Sequence, residues 1–204
     1  MDSAAAGHAS IREGSRLNAT TVPALTRMAR NVEIKARIGS VEALAAKAAT
    51  IASEGPIEIR QDDAFFACPS GRLKLREFSE EAGELIYYRR ANVHGPKESF
   101  YVRTPTSSPA TLRETLALAY GGAGRVRKHR TLFLAGRTRI HLDRVEGLGD
   151  FLELEVVLEQ GEEAEAATRE AYDLMARLGV APSQLIDRAY VDLLADATSR
   201  RTTG

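Results

Sequence analysis

Along residues 31–38 the chain alternates with a period of two. Val32, Ile34, Ala36 and Ile38 are apolar, and Asn31, Glu33, Lys35 and Arg37 between them are polar or charged. Successive side chains of a strand point to opposite faces, so this segment predicts a β-strand with one charged and one apolar face. Seven further segments carry strand patterns, at roughly 57–66, 72–78, 84–91, 97–103, 126–135, 137–145 and 151–159. Turn signals separate them: Pro69-Ser70-Gly71, Glu81-Ala82-Gly83, Ala135-Gly136 and Glu146-Gly147-Leu148-Gly149. Links this short favour antiparallel hairpins over crossover connections. Four helical patterns interrupt the series. Ser40 caps an Ala-rich helix to about residue 53, and Pro109 opens one that runs to Tyr120 and stops at Gly121-Gly122. An acid-rich helix spans about 162–178 and ends at Gly179, and a last helix follows a Ser183 cap. No internal repeat and no domain-dividing linker interrupts this order.

The charged faces are unusual. Arg72, Lys74 and Arg76 share one face, with Leu73 and Leu75 opposite; Lys128 and Arg130 share another. Arg137, Arg139, His141 and Asp143 line up against Ile140 and Leu142, and Glu153 and Glu155 against Leu152, Leu154 and Val156. Any one of these reads as a solvated sheet face. As a set they do not, because like charges on neighbouring strands repel. Ten bases (Lys35, Arg37, Arg72, Lys74, Arg76, Arg90, Lys128, Arg130, Arg137, Arg139) gather there with four acids (Glu33, Asp143, Glu153, Glu155). Such clustering costs stability unless an anion sits among the charges. Eight antiparallel strands can close around one small ligand. The expected fold is therefore α+β: an eight-stranded antiparallel barrel with a polar interior, its apolar outer faces covered by about four helices.

Composition narrows the partners. The 204 residues carry 28 basic and 28 acidic side chains, so no bulk charge calls for nucleic acid or a membrane surface. Any anion site must come from patterning. The lone Cys68 forms no internal disulfide and lacks zinc-site spacing, which fits a reducing cytoplasm. No apolar run approaches the roughly 20 residues that span a bilayer. Residues 1–28 are expected to be a disordered tail or a mis-assigned start, 29–197 a single domain as monomer or homodimer, and 198–204 a tail. No nucleophile–His–Asp order appears. Gly121-Gly122-Ala123-Gly124 reads as a helix stop, lacking the Lys-Ser/Thr of a phosphate-binding loop.

Several stretches, in order, resemble one family. Glu33-Ile34-Lys35 looks like the end of a Glu-x-Glu-x-Lys signature, followed by Gln61-Asp62-Asp63-Ala64-Phe65-Phe66, Gly71-Arg72-Leu73-Lys74-Leu75-Arg76 and Leu85-Ile86-Tyr87-Tyr88-Arg89-Arg90. The series continues in Val126-Arg127-Lys128-His129-Arg130 and in 139–155. Over about 30–195 the chain resembles CYTH proteins, named for CyaB-type adenylate cyclases and thiamine triphosphatases. The resemblance implies a tunnel that binds a small-molecule triphosphate through Lys and Arg, with Mg²⁺ or Mn²⁺ held by acids. Asn31 stands where the first Glu of the signature would be, which puts a full two-metal arrangement in doubt.

Carried onto this chain, Lys74, Arg76, Arg90, Lys128 and Arg130 are the expected phosphate clamps, with Arg37, Arg139 and Lys35 as additions. Arg90 rather than Arg89 shares the face of Tyr88. Glu33, Glu153 and Glu155 are the expected metal ligands. Lys35 and Asp143 are the catalytic candidates. Lys35 can contact a phosphate, protonate a leaving oxygen or act as a base, and Asp143 can ligate metal, orient a water or hold Arg139. His141 is expected to be a packed or hydrogen-bonded histidine, His94 and His129 loop or strand-surface residues, and Asp63, Phe65 and Phe66 strand and core, with Asp63 placed where a tunnel mouth could be. Three functions fit. A hydrolase directs water at the terminal phosphorus of tripolyphosphate, a nucleoside triphosphate or thiamine triphosphate; an adenylate cyclase directs the ribose 3′-hydroxyl at the α-phosphorus; a non-catalytic module binds polyphosphate or nucleotide.

Overall fold

A sheet with one cationic and one apolar face can keep the two apart by closing on itself, with the charged face lining the lumen and the apolar face outside. In the computed structural model, which describes residues 28–93 and 95–202, the sheet closes. The strands are β1 (Met28–Arg37), β2 (Glu54–Phe66), β3 (Arg72–Ser79), β4 (Ala82–Arg90), β5 (Lys97–Thr106), β6 (Gly122–Ala135), β7 (Thr138–Val145) and β8 (Gly149–Val157). They run in the barrel order β1-β5-β4-β3-β2-β6-β7-β8, every ladder antiparallel. The expectations for residues 1–27, His94 and 203–204 lie outside the described residues.

The apolar faces point outward and the helices cover them. Val32, Ile34 and Ala36 of β1, Ile140 and Leu142 of β7, and Leu152, Leu154 and Val156 of β8 form one buried cluster with α1 (Val41–Ile51) and α3 (Ala164–Leu178). Ser40 caps α1, its side chain accepting from the Ala43 N–H at 3.3 Å. Pro109 occupies the first turn of α2 (Pro109–Tyr120), whose Leu116 packs on Phe66 and Leu75. No helix among the described residues is long and apolar enough to cross a membrane.

The C-terminal segment departs from the sequence expectation, and it matters for the site. Ser183 caps no long helix; Pro182–Gln184 is a single 3-10 turn. The chain then docks on β1: the Ile186 backbone N–H donates to the Lys35 carbonyl at 2.9 Å, and the Gln184 side-chain Nε2 donates to the Arg37 carbonyl at 2.9 Å. Only at Tyr190 does α4 (Tyr190–Thr202) begin, and it runs past residue 197, where the domain was expected to end. Ala189, Tyr190 and Val191 pack with Phe65, Val126, Val145 and Phe151, across the barrel end where β1 finishes.

Ile140 is fully buried between the sheet and its covering helices. Ile140→Ala is expected to cost about 2–5 kcal/mol in a denaturant titration, the range for a large-to-small core change. A loss well under that range would mean the outward faces are not the core.

Candidate functional site: a cationic barrel lumen

Alternation brings the charged positions of eight strands into one cavity of about 310 Å³. Eight bases line it (Lys35, Lys74, Arg76, Arg90, Arg103, Lys128, Arg130, Arg139) against four acids (Glu33, Asp63, Glu153, Glu155), a strong local excess in a chain of zero net charge. Arg90 is inside and Arg89 outside, over the Phe100 ring.

Each buried acid holds two or more cations. Asp63 accepts from Lys74 at 2.7 Å and from both ends of the Arg76 guanidinium at 2.7 and 2.8 Å. Asp143 does the same for Lys128 at 2.7 Å and Arg130 at 2.6 and 2.7 Å, and accepts a third contact from the Tyr190 hydroxyl at 3.1 Å. Glu153 bridges Lys35 at 3.1 Å and Arg130 at 2.6 Å; Glu33 takes Arg90 at 2.9 Å, with Lys35 at 3.6 Å. Against burial, which raises it, the paired cations hold the Asp63, Asp143 and Glu153 carboxyls well below the usual range. Glu33 goes the other way: burial, reinforced by Glu153, raises it. Burial, with the Arg76 charge alongside, lowers the Lys74 ammonium to about 8, and burial also lowers Lys128.

Not every candidate reaches the lumen. Asp143 is fully buried and stands behind Lys128 and Arg130 rather than lining the cavity. Arg37 lies beyond the Tyr190 end, exposed, donating to the Leu148 carbonyl at 2.8 Å and lying over Phe151. Arg72 has the inward register but is drawn to Asp192 of α4 at 2.6 Å. Arg137 is a correction to the expected charged face: it sits in the turn before β7, outside, bonded to Glu162 and Glu170 of the α3 region.

Sequence reasoning missed other residues. Asp63 and Gln61 alternate inward on β2, and Ser99, Tyr101 and Arg103 on β5. That signal was present but diluted by uncharged neighbours. Tyr190 gave none, because it enters from a helix start: its ring lies 4.1 Å from the Lys35 ammonium and 5.0 Å from that of Lys128, closing the end of the lumen. Exposure varies within the lumen. Side chains of Arg90, Lys35, Lys128 and Arg130 are 1–7% exposed, whereas Glu155, Arg139 and Arg103 reach 18, 24 and 33%.

One wall fits a divalent ion. His141, Glu153 and Glu155 each present a ligand atom within 4.8 Å of the others, and His141 Nδ1 is buried without a hydrogen-bond partner, as is Asn31 Oδ1. His141 therefore faces the lumen and is not a satisfied core histidine. Glu33 stands outside that group, engaged by Arg90 and Lys35.

A closed barrel with a cationic, blind lumen and an acidic patch on one wall defines a tunnel for a phosphorylated anion. The chain belongs to the CYTH domain family, whose model matches residues 29–190. Family, barrel and lumen together make it a triphosphate-tunnel enzyme. Adenylate cyclase CyaB of Aeromonas hydrophila is 25% identical over 170 residues, 78% of this chain and 85% of that protein. The fold is shared with the PH1012 protein of Pyrococcus horikoshii OT3 (TM-score 0.71, 24% identity, 80% of this chain and 98% of that one). It is shared too with HpAC1 of Hippeastrum, described as an adenylyl cyclase homologue with a dominant triphosphatase activity (TM-score 0.56, 15% identity, 78% and 91%).

Two outcomes follow from the ion pairs. Asp143→Asn leaves buried Lys128 without its close carboxylate and Arg130 with Glu153 alone, so an expected loss of about 3 kcal/mol appears in the unliganded melt. An unchanged melt would show that the pairs are not buried. The Lys74 ammonium loses its proton near pH 8 in the free protein, and a bound polyanion would restore it. Metal-free triphosphate affinity should therefore fall as pH rises above about 8, on the order of tenfold by pH 10. In Lys74→Met the affinity should be lower at pH 7 and its decline shallower, because only Lys128 and the remaining groups still titrate. An identical pH profile in wild type and variant would remove Lys74 from the binding surface.

Proposed function

We propose that the chain is a metal-dependent phosphohydrolase that cleaves the terminal phosphoryl group of a triphosphate drawn lengthwise into the barrel. The observation that carries this reading is a lumen closed at one end by Tyr190 beside Lys35 and Lys128, with Arg90, Lys35, Lys128 and Arg130 almost fully buried and Arg139 and Arg103 partly exposed. A triphosphate entering such a blind lumen advances its most highly charged end, and whatever it is esterified to stays at the rim.

The residues then take distinct parts. Lys74, Arg76, Lys128 and Arg130 bind phosphate oxygens, the two guanidiniums as planar forks. Arg90 and Arg139 extend the clamp along the two walls. Lys35 offers an ammonium N–H to the oxygen that leaves when water attacks the terminal phosphorus. Asp143 is a positioning residue: it holds Lys128, Arg130 and Tyr190 in register and touches no substrate. Glu153 and Glu155 hold the divalent ion, Mg²⁺ or Mn²⁺, with Glu33 beside them. The ion supplies charge neutralisation for the phosphate oxygens. Phosphoryl transfer needs positioning and charge neutralisation more than covalent help, and this lumen offers both.

One observation favours cyclisation of ATP instead. Ile59, Ile86, Leu132 and Tyr101 line the same cavity and give an organic substituent apolar surface, and the Aeromonas relative is named an adenylate cyclase. Product analysis with ATP, tripolyphosphate and thiamine triphosphate separates the readings. Orthophosphate release supports hydrolysis. Cyclic AMP with pyrophosphate replaces it with cyclisation, and tight binding without turnover reduces the chain to a binding module.

Glu155 is the lumen carboxylate that can be altered with least structural cost, because among the described residues its hydrogen-bonded cation is Arg139, at 3.1 Å and partly exposed, with His141 standing off at 3.9 Å. Glu155→Gln is expected to lower turnover on the order of 100-fold at limiting metal. Metal-free triphosphate binding should be unchanged or tighter, since less negative charge opposes the ligand. Full turnover at limiting metal would make Glu155 an ion-pair partner only.

A further inference from the structure

Three buried polar side chains in the lumen are left unused by the phosphate clamp, Asn31, Gln61 and His141, and His141 is the one that stands beside two carboxylates. Its Nδ1 is 4% exposed as a residue, lacks a hydrogen-bond partner, and lies 3.9 Å from Glu153 Oε2 and 3.9 Å from Glu155 Oε1. An orphaned ring nitrogen at that depth is unfavourable unless something else supplies the partner. Adjacent ligand atoms around one divalent ion bonded at about 2.1 Å stand about 3.0 Å apart, so both carboxylates stand wider than a closed site and within reach of one by side-chain rotation. Asn31, whose Oδ1 is another of the orphans, with Gln61 Oε1, is diagonal to Glu155 across the β1–β8 ladder, since Asn31 pairs with Val157 and Glu33 with Glu155.

We propose that this chain holds its divalent ion through a mixed nitrogen–oxygen set, His141 Nδ1 with Glu153 and Glu155, and that it therefore takes a first-row transition ion in preference to Mg²⁺. The inference rests on the lumen being a triphosphate–metal site, and it decides between the two ions expected there in favour of Mn²⁺. Two features act together. Mg²⁺ wants hard oxygen ligands in near-ideal octahedral geometry and gives up its water reluctantly, so a neutral imidazole contributes little to it. First-row ions gain from imidazole, increasingly from Mn²⁺ to Co²⁺. Asn31 brings an uncharged oxygen to the position beside the set, which weakens a site that depends on carboxylate charge more than one that depends on nitrogen. The shared contacts of Glu153 with Lys35 and Arg130 and of Glu155 with Arg139 fix the two carboxylates against the imidazole, as outer-shell partners fix metal ligands elsewhere.

The test is direct metal binding to the full, untagged chain without triphosphate. Calorimetry is expected to give the order Mg²⁺ weaker than Mn²⁺ weaker than Co²⁺, with Co²⁺ about 100-fold tighter than Mg²⁺. Pulsed EPR of the Mn²⁺-loaded protein should show ¹⁴N modulation from a coordinated imidazole. In His141→Gln the modulation should vanish and the Co²⁺ preference shrink to within about tenfold, with the melt and metal-free tripolyphosphate affinity retained. Because His141 is buried and its variant can fail to fold, a second protein carries His8→Gln, His94→Gln and His129→Gln together; there the modulation should persist. Absence of nitrogen coupling in the wild type, loss of it in the triple variant, or Mg²⁺ binding as tight as Mn²⁺ overturns the proposal. These readouts do not depend on turnover, so nitrogen coupling without orthophosphate release would refute hydrolysis and leave the mixed site standing. Hydrolysis without nitrogen coupling would do the reverse.

Discussion

A cation inside a protein gives up its hydration, and a barrel that turns eight Lys and Arg side chains inward must compensate the deepest of them with little water. The compensation here is economical. Asp63, Asp143, Glu33 and Glu153 each serve two cations, so few carboxylates hold many bases in defined positions, and the lumen retains a net positive charge. The remaining positive charge is the functional feature. It destabilises the free protein modestly and becomes favourable when a polyanion enters. Everything else in the fold is arranged around keeping those pairs dry: the outward apolar faces need helices, and the open end of the barrel needs Tyr190.

The same constraint explains what the sequence revealed. Strand existence, the inward set on β1, β3, β6, β7 and β8, and the closed barrel with covering helices were legible because charged alternation has a single periodicity and a single economical closure. The family signature in 33–35 and 139–155 pointed the same way, and the family match covers it. Arg90 against Arg89 was decided by parity alone. Three things were not legible, each for a physical reason. Arg137 shares the parity of Arg139 but precedes the first paired residue of β7, so the turn and not the pleat directs it outward. Arg37 obeys parity yet lies past the end of the lumen, a matter of barrel length that alternation does not encode. Asp143 also obeys parity, but Lys128, Arg130 and Tyr190 close over it.

Tyr190 and His141 carry the larger lesson. The C-terminal segment was expected to enter a helix at Ser183, but backbone pairing of 185–186 with β1, with the Gln184 side chain on the Arg37 carbonyl, outcompetes local helix propensity and delivers an aromatic ring to the lumen. No local pattern announces a contact made by a tertiary strand-like docking. His141 was on the right face and was discounted because histidines on strands are commonly satisfied by neighbours. Its Nδ1 is not, and only the three-dimensional arrangement of β7 against β8 shows that the nearest acceptors stand off at 3.9 Å. Departure from the acidic signature at Asn31 and the presence of a lumenal imidazole are thus two sides of one site.

The most direct measurement is a crystal structure grown with tripolyphosphate in the presence of a chelator, so that no ion assists binding. The account requires the phosphate chain to lie along the barrel axis, with its oxygens in hydrogen-bond contact with Lys74, Arg76, Lys128 and Arg130 and its inner end facing Tyr190, while Asp63 and Asp143 keep their bonds to the same cations. A lumen whose ion pairs are unchanged and which holds no phosphate, with the anion bound on the outer surface instead, would contradict it.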